Sequence, residues 1–309
     1  MRFFLPIALL FDREVTLTGA PSLMRRPMDV YRDLCAAHGL FYAADENGIT
    51  VKGPLRAGEY TLPGNVSSQF VSGMLFALTQ TRGQSLLHVL PPVESRSYID
   101  LTVSALRSFG ALVAWRDECT LFVDGDASME ARNATVEGDY SNAAFLDAFN
   151  LFEGKVTVTG LDEHSEQGDR VYRDCFSRLL EKDACISLEN CPDLAPILFS
   201  VAAAKNGAHF TDTARLRIKE SDRAAVMAEE LSKLGSRVTV GENEVIVERG
   251  ELHSPTEPIC AHNDHRIVMS MSVLLSFLGG EIEGVEAVAK SFPDFFDRIT
   301  SLGIDVTLI

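Results

Sequence analysis

The alternation of polar turns and apolar runs repeats along the chain. Four segments open with a small polar turn and continue as an apolar helix. Their openings are Pro63-Gly64-Asn65-Val66-Ser67-Ser68-Gln69-Phe70, Glu137-Gly138-Asp139-Tyr140-Ser141-Asn142, Cys191-Pro192-Asp193-Leu194 and His262-Asn263-Asp264-His265-Arg266. Ser, Asn and Asp at such starts cap the first free N–H groups of a helix. Each predicted helix ends near a glycine: Gly83, Gly154, Gly207 and Gly279. β-rich runs follow, as in Ser85–Leu90 and Lys155–Gly160. A second polar loop and a second helix come next, at Arg25–Asp29, Ser95–Asp100, His164–Asp169, Lys219–Arg223 and Lys290–Asp294. Several of these second helices close at glycine (Gly39, Gly110, Gly235, Gly303) before further strand. Val238–Val240 and Val245–Val247 read as a hairpin around Gly241–Glu244. The repeat is helix, strand, helix, strand, strand, too long and too mixed for a helical solenoid. It predicts an α/β domain pair.

The first copy starts inside its helix. Phe3 to Phe11 is apolar, but no polar turn precedes it. The expectation is an N-terminally incomplete set of repeats, with Phe3, Phe4, Leu9 and Leu10 on or near a bare surface.

Composition narrows the classes. The 309 residues carry 28 Lys and Arg against 44 Asp and Glu, a formal net charge of -16 at pH 7. This argues against general binding to nucleic acid or anionic membranes. It leaves anionic small molecules open, because a local cationic cluster can dominate one cleft. The six cysteines form no C-x-x-C pair and mostly sit beside apolar residues, as in Ala184-Cys185-Ile186. They read as buried thiols of a cytoplasmic protein. The start lacks a small-x-small cleavage site, and the longest uncharged run elsewhere, Ile267 to Gly280, is too short for a membrane span.

Chemistry-bearing residues gather at the helix-start loops. Lys219 and Arg223 are four apart, with Glu220 between them as a candidate proton carrier. The same spacing also suits ordinary i,i+4 pairing. His265 and Arg266 stand at the mouth of an apolar helix, where His can move protons near neutral pH and Arg can grip phosphate or carboxylate with both prongs. Ser67, Ser68 and Gln69 offer donors suited to phosphate oxygens, although capping explains two serines equally well. Ser95 and Tyr98 suit a turn or a ligand. Asp193 suits a cap or a general base. Arg25, Arg26 and Lys290 add positive charge at two further loops. P-loop, G-x-G-x-x-G, His/Cys metal spacing and nucleophile elbow are not found. The residues alone thus suggest helix N-termini that bind a small multi-anionic molecule.

In order along the chain, Met1-Arg2-Phe3-Phe4-Leu5, Ser67-Ser68-Gln69-Phe70, Ser95-Arg96-Ser97-Tyr98-Ile99-Asp100, Pro192-Asp193, Lys219-Glu220-Ser221-Asp222-Arg223, Asn263-Asp264-His265-Arg266 and Lys290-Ser291-Phe292-Pro293-Asp294 resemble the motif set of the EPSP synthase family. The resemblance covers essentially the whole chain. It implies the two-domain enolpyruvyl transferase fold, an inverse α/β barrel of repeated βαβαββ units with helix N-termini facing the cleft. Residues 1–137 would form an incomplete N-terminal domain, one clipped and one whole unit, and residues 138–309 a C-terminal domain of three units.

The implied reaction moves the enolpyruvyl group of phosphoenolpyruvate to the 5-hydroxyl of shikimate 3-phosphate. Ser67, Ser68, Gln69, Ser95, Tyr98, Asp193 and Lys219 would bind shikimate 3-phosphate, and Arg26, Gln69, Arg223, Arg266 and Lys290 phosphoenolpyruvate. Asp193, Glu220 and His265 would be catalytic. No cofactor, metal, nucleic acid or membrane partner is implied. The family's P-G-[SD]-K-S-x-[ST]-x-R segment, which supplies a lysine, a serine and an arginine, is not found. The alternative is therefore an inactive remnant or a substrate-binding subunit, which would self-associate or pair with an N-terminal partner fragment. The sister UDP-N-acetylglucosamine enolpyruvyl transferase carries a reactive loop cysteine that nothing here matches.

Overall fold

The computed structural model describes residues 1–308. The chain divides into two compact units, Met1–Thr135 and Val136 onward, each with its own hydrophobic core. The boundary expected from the repeats lies two residues later, at Gly138.

The first unit runs α1 (Phe4–Ala8), β1 (Val15–Leu17), α2 (Pro21–Met24), α3 (Asp29–Ala37), β2 (Phe41–Asp45), β3 (Gly48–Lys52), β4 (Glu59–Pro63), α4 (Ser68–Leu78), β5 (Gln84–Leu90), α5 (Arg96–Ser108), β6 (Leu112–Trp115) and β7 (Thr120–Asp124). The second runs α6 (Tyr140–Ala148), α7 (Tyr172–Leu179), β8 (Cys185–Ser187), α8 (Ala195–Ala204), β9 (Ala208–Thr211), α9 (Arg223–Lys233), β10 (Val238–Val240), β11 (Glu244–Val247), β12 (Ile259–Cys260), α10 (His265–Leu278), β13 (Ile282–Glu283) and α11 (Phe295–Ser301).

The repeat is visible in the sheets. One sheet has the order β4-β5-β7-β6 and another β8-β9-β11-β10. In both, the first two strands are parallel and joined through a helix, and the remaining neighbours are antiparallel. The sheet β1-β3-β2 keeps the antiparallel part of this order, and the parallel pair β12 and β13, with α10 between them, keeps its opening. The hairpin expected at residues 238–247 forms, with Val240 opposite Val245 and the Gly241 N–H closing on the Glu244 carbonyl at 2.8 Å.

The helices sort into two kinds. α8, which reads Ala-Pro-Ile-Leu-Phe-Ser-Val-Ala-Ala-Ala, is buried over nearly its whole circumference, as are α4 and most of α10. A helix apolar all round has to be enclosed. α6, α8 and α10 accordingly pack on one another at the centre of the second unit. α5, α7 and α9 carry one apolar stripe and one polar face; α5 packs on β6 and α9 on β10, whereas α7 packs on α6 and α8. In the first unit α4 packs against α1 and α5. Gly73 permits this approach: a Cβ there would stand 2.4 Å from the Arg2 carbonyl oxygen and 2.5 Å from the Tyr31 hydroxyl. That hydroxyl, fully buried, lies 2.8 Å from the Arg2 carbonyl and 2.9 Å from that of Phe70.

Four expectations need correction. Lys155–Gly160 is not a strand. The Asn150 side chain bonds both the N–H and the carbonyl of Val156, at 2.7 and 2.9 Å, so those groups are committed locally. The helix before Gly154 ends with Glu153, not the glycine, in the left-handed region (φ 66°). Leu9 is fully buried, whereas Phe3 and Phe4 are exposed; the carbonyl of Leu9 takes the Leu55 N–H at 2.7 Å, which folds this turn inward. Cys185 is exposed, because β8 alternates and turns Ile186 inward instead.

Replacing Gly73 with Ala is expected to destabilise the chain by about 1–3 kcal/mol, the usual cost of overpacking. The midpoint of chemical denaturation measures this; an unchanged midpoint would show that α1 and α4 can separate freely.

Candidate functional site

In the second unit the starts of the three central helices meet. Asp264 caps α10 by accepting the Arg266 N–H at 3.0 Å. Asp139 caps α6. α8 is preceded by a 3₁₀ turn, Pro192–Leu194, and Asp193 in that turn makes no capping bond of its own. Its carboxylate instead faces three cations. Arg223 Nη1 is 2.7 Å and Lys219 Nζ 3.1 Å from Oδ1, and Arg266 Nη2 is 3.3 Å from Oδ2. Burial opposes the ionisation of Asp193, but the charges of Arg266, Lys219 and Arg223 outweigh it and hold the carboxyl well below the usual carboxylate range.

Arg223 is the most enclosed member, with a side chain 1% exposed. It also reaches Asp264, itself fully buried, through Nε at 2.9 Å, and Glu220 through Nη2 at 2.7 Å. Ser221 Oγ adds a bond to Asp264 at 3.1 Å. Burial lowers the pKa of Lys219, and the nearby Arg223 and Arg215 act in the same direction against Asp193. Lys219 and Arg223 thus converge, though not through helical spacing: Asp222 caps α9, so the helix starts at Arg223 and Lys219 lies outside it.

His265, in the first turn of α10, is 7% exposed. Burial and then the charge of Arg266 push its pKa down to about 4. Its Nδ1 lies 4.0 Å from Asp264 Oδ1, beyond hydrogen-bond reach. Lys290 Nζ bonds the Asn263 carbonyl, and its amide oxygen at 2.7 Å, so it is tethered to the loop before α10.

In the first unit a second group forms at the starts of α4 and α5. Ser67 caps α4, accepting the Gln69 N–H at 3.3 Å. Ser95, 3% exposed, precedes α5 in the left-handed region (φ 53°), and Tyr98 lies within the first turn of α5. The two loops are tied together, since the Glu94 N–H reaches the Gly64 carbonyl at 3.2 Å. Gly64 allows this: a Cβ would lie 2.7 Å from the Leu90 oxygen. Gln69 and Arg26 line a cavity of about 220 Å³ with Met1, Arg2, Phe3, Leu23 and Met28.

Two charged residues here escaped the reading of the sequence. Arg2 lies over the Phe70 ring, 4.7 Å from its centroid, with Nη1 3.5 Å from Gln69 Oε1. Asp264 reads as a cap but also holds Arg223. Only its place beside His265 and Arg266 could have hinted at this.

The architecture is of the enolpyruvyl transferase type. It matches the enolpyruvyl transferase NikO of Streptomyces tendae with a TM-score of 0.67 at 15% identity, covering 98% of this chain and 76% of that one. EPSP synthase of Acinetobacter baumannii matches at 0.75 and 25% identity, again over 98% and 76%. The family model of EPSP synthase (3-phosphoshikimate 1-carboxyvinyltransferase) matches residues 1–182 and 176–299. The 3-phosphoshikimate 1-carboxyvinyltransferases of Clostridium kluyveri and Clostridium acetobutylicum are 33% and 35% identical, each over 99% of this chain and 76% of their own length. The chain belongs to the EPSP synthase family. It is a transferase of the shikimate pathway, and these relatives favour the family reaction over a remnant or a binding subunit. Among the described residues no helix is long and apolar enough to cross a membrane.

The depressed pKa of His265 has a sign that can be tested. A group with a lowered folded-state pKa contributes stability above its unfolded value, near 6.5, and loses that contribution as pH falls toward the folded value, about 4. Between pH 7 and pH 5 the chain should lose about 2 kcal/mol through this residue. His265→Gln should remove that part of the loss in denaturant titrations at the two pH values. An imidazole titrating near 6.5 by NMR would contradict the assignment.

Proposed function

We propose that the chain performs the family reaction with the two helix-start groups as its substrate contacts. Ser67, Ser68, Gln69, Ser95 and Tyr98, with Asp193 and Lys219, take shikimate 3-phosphate. Arg26, Gln69, Arg223, Arg266 and Lys290 take phosphoenolpyruvate, and Arg2, in the cavity shared by Arg26 and Gln69, adds a further cation. The observation that carries this reading is the convergence of Lys219, Arg223 and Arg266 on the single carboxylate of Asp193.

That convergence suits an addition–elimination in which the base is released by the substrates. With its three ion pairs in place, Asp193 is too weak a base to take a proton from a hydroxyl. The phosphates and carboxylate of the ligands compete for the same cations. Each cation they draw away, and each negative charge they bring near, raises the affinity of Asp193 for a proton. The base thus gains strength when both anions are bound.

The 5-hydroxyl of shikimate 3-phosphate then gives its proton to Asp193 and its oxygen attacks C2 of phosphoenolpyruvate, while C3 gains a proton. Glu220, bonded to Arg223 at 2.7 Å, gains a proton in the same way as the substrates draw on that cation, and passes it to C3. With its low pKa His265 enters as a neutral ring, and its buried Nδ1 has no hydrogen-bond partner among the described residues. In the second stage Glu220 takes a proton back from C3 and phosphate departs from C2 with the proton held by Asp193, giving the enolpyruvyl ether. Arg and Lys stabilise the charge on the departing phosphate through a preorganised cationic surface.

Phosphate release from shikimate 3-phosphate and phosphoenolpyruvate tests this. Asp193→Asn should reduce kcat by roughly 100-fold or more, the scale of general-base removal, with a smaller effect on ligand binding. Retained turnover in this variant would exclude Asp193 as the base.

A further inference from the structure

Behind the guanidinium of Arg266 stands a pair of side chains outside the family motifs quoted above and outside the ion cluster. Ser141, in the first turn of α6, is 3% exposed, and Asp169, in the 3₁₀ turn Gly168–Val171, is 4% exposed. The Ser141 hydroxyl bonds Asp169 Oδ2, and Arg266 Nη1 donates to the same hydroxyl oxygen at 2.7 Å. A carboxylate has no proton to give, so the single hydroxyl proton goes to Asp169, and the oxygen lone pairs are left for the guanidinium. Nη1 also donates to the Asp193 carbonyl at 3.1 Å.

The loop carrying Asp169 is fixed to the start of α6. Gln167 accepts the Tyr140 N–H at 2.9 Å and donates to Glu137 and to the Gly138 carbonyl, both at 2.9 Å. With one prong anchored in this way, Arg266 Nη2 meets Asp193, while its buried Nε finds no partner among the described residues.

We propose that Ser141 and Asp169 are positioning residues: they hold the Arg266 fork from behind and keep its remaining donors directed for an anionic substrate. The arrangement works as a short relay. Asp169 draws the hydroxyl proton, the oxygen becomes a stronger acceptor, and the guanidinium cannot swing toward solvent. This rests on the reading that Arg266 binds phosphoenolpyruvate.

The test is a double-mutant cycle on the full chain. Phosphoenolpyruvate is titrated calorimetrically in the presence of saturating 5-deoxyshikimate 3-phosphate, which lacks the attacking hydroxyl, so that binding is read without turnover. Ser141→Ala is expected to raise Kd by about tenfold, equivalent to ~1.4 kcal/mol, and the isosteric Asp169→Asn by at least about threefold. In an Arg266→Ala background neither change should weaken binding further, because the group being positioned is gone. A merely structural role would lower the melting temperature equally in both backgrounds and leave no such coupling. Should Ser141→Ala fail to fold, Asp169→Asn carries the same cycle. If Arg266→Ala weakens binding but the other two stay within about twofold, or if the losses add, this inference is overturned while the substrate assignment stands. If Arg266→Ala leaves Kd unchanged, or the unaltered chain takes up no phosphoenolpyruvate, the assignment of Arg266 fails and the inference fails with it.

Discussion

The second unit depends on one buried guanidinium. Arg223, 1% exposed, bonds Asp264 on the turn before α10, Asp193 on the turn before α8, and Glu220 on its own loop. A charge taken out of water is costly unless its partners are close and well oriented, and removing one partner leaves the others stranded. The three carboxylates supply that compensation. In doing so they fix the starts of α8, α9 and α10 relative to one another. Lys219 and Arg266 then balance the surplus negative charge, so three cations and three carboxylates stand together before any ligand arrives. The excess of acidic residues over the whole chain has little bearing on this place.

The same constraint explains why the chemistry gathers at helix starts. α6, α8 and α10 are enclosed on nearly all sides, so their side chains are committed to packing along most of their length. Only the ends are free to carry polar function. Unpaired N–H groups and the helix dipole make the N-terminal end favourable to anions. The capping carboxylates Asp139 and Asp264 already use part of that preference. A substrate bearing phosphate would replace a contact the protein makes with itself, which needs less reorganisation than building one from solvent. In the first unit, Ser67 and Ser95 stand at the starts of α4 and α5, in loops tied by the Glu94 to Gly64 bond. Both units thus gather polar groups at helix starts: hydroxyls and an amide with Arg2 and Arg26 nearby in the first, three cations and three carboxylates in the second.

Much of the local structure was legible. The caps Ser67, Asp139, Asp222 and Asp264 each act on an N–H two or three residues away, so sequence alone locates the helix starts. The glycines Gly39, Gly83, Gly110, Gly207, Gly235, Gly279 and Gly303 all take positive φ, a conformation other residues adopt only at a cost. The hairpin at residues 238–247 follows from alternation and a four-residue loop. Lys155–Gly160 failed for a local reason as well: strand propensity says nothing about Asn150, whose side chain satisfies the Val156 backbone. Propensity describes a preference, and a nearby side-chain amide can outbid it.

The sequence by itself determined the repeat, the caps, the glycine stops and the family motifs, because these are patterns of neighbours within a few residues. Which side chains share a charge was decided only by the tertiary structure. Asp193 and Arg223 are 30 residues apart, Arg223 and Asp264 are 41, and Ser141 and Arg266 are 125. Such pairs form when separate helices pack, and their electrostatics depend on burial, which no local spacing encodes. Asp193 reads in the sequence as a cap or a base; enclosed among Lys219, Arg223 and Arg266 it is an ionised carboxylate held by three cations. His265 reads as a proton carrier near neutral pH; in its buried place beside Arg266 it is neutral there. The physical reason is the same in both cases: a residue type sets which charges are available, and only the packed environment sets the free energy of carrying them.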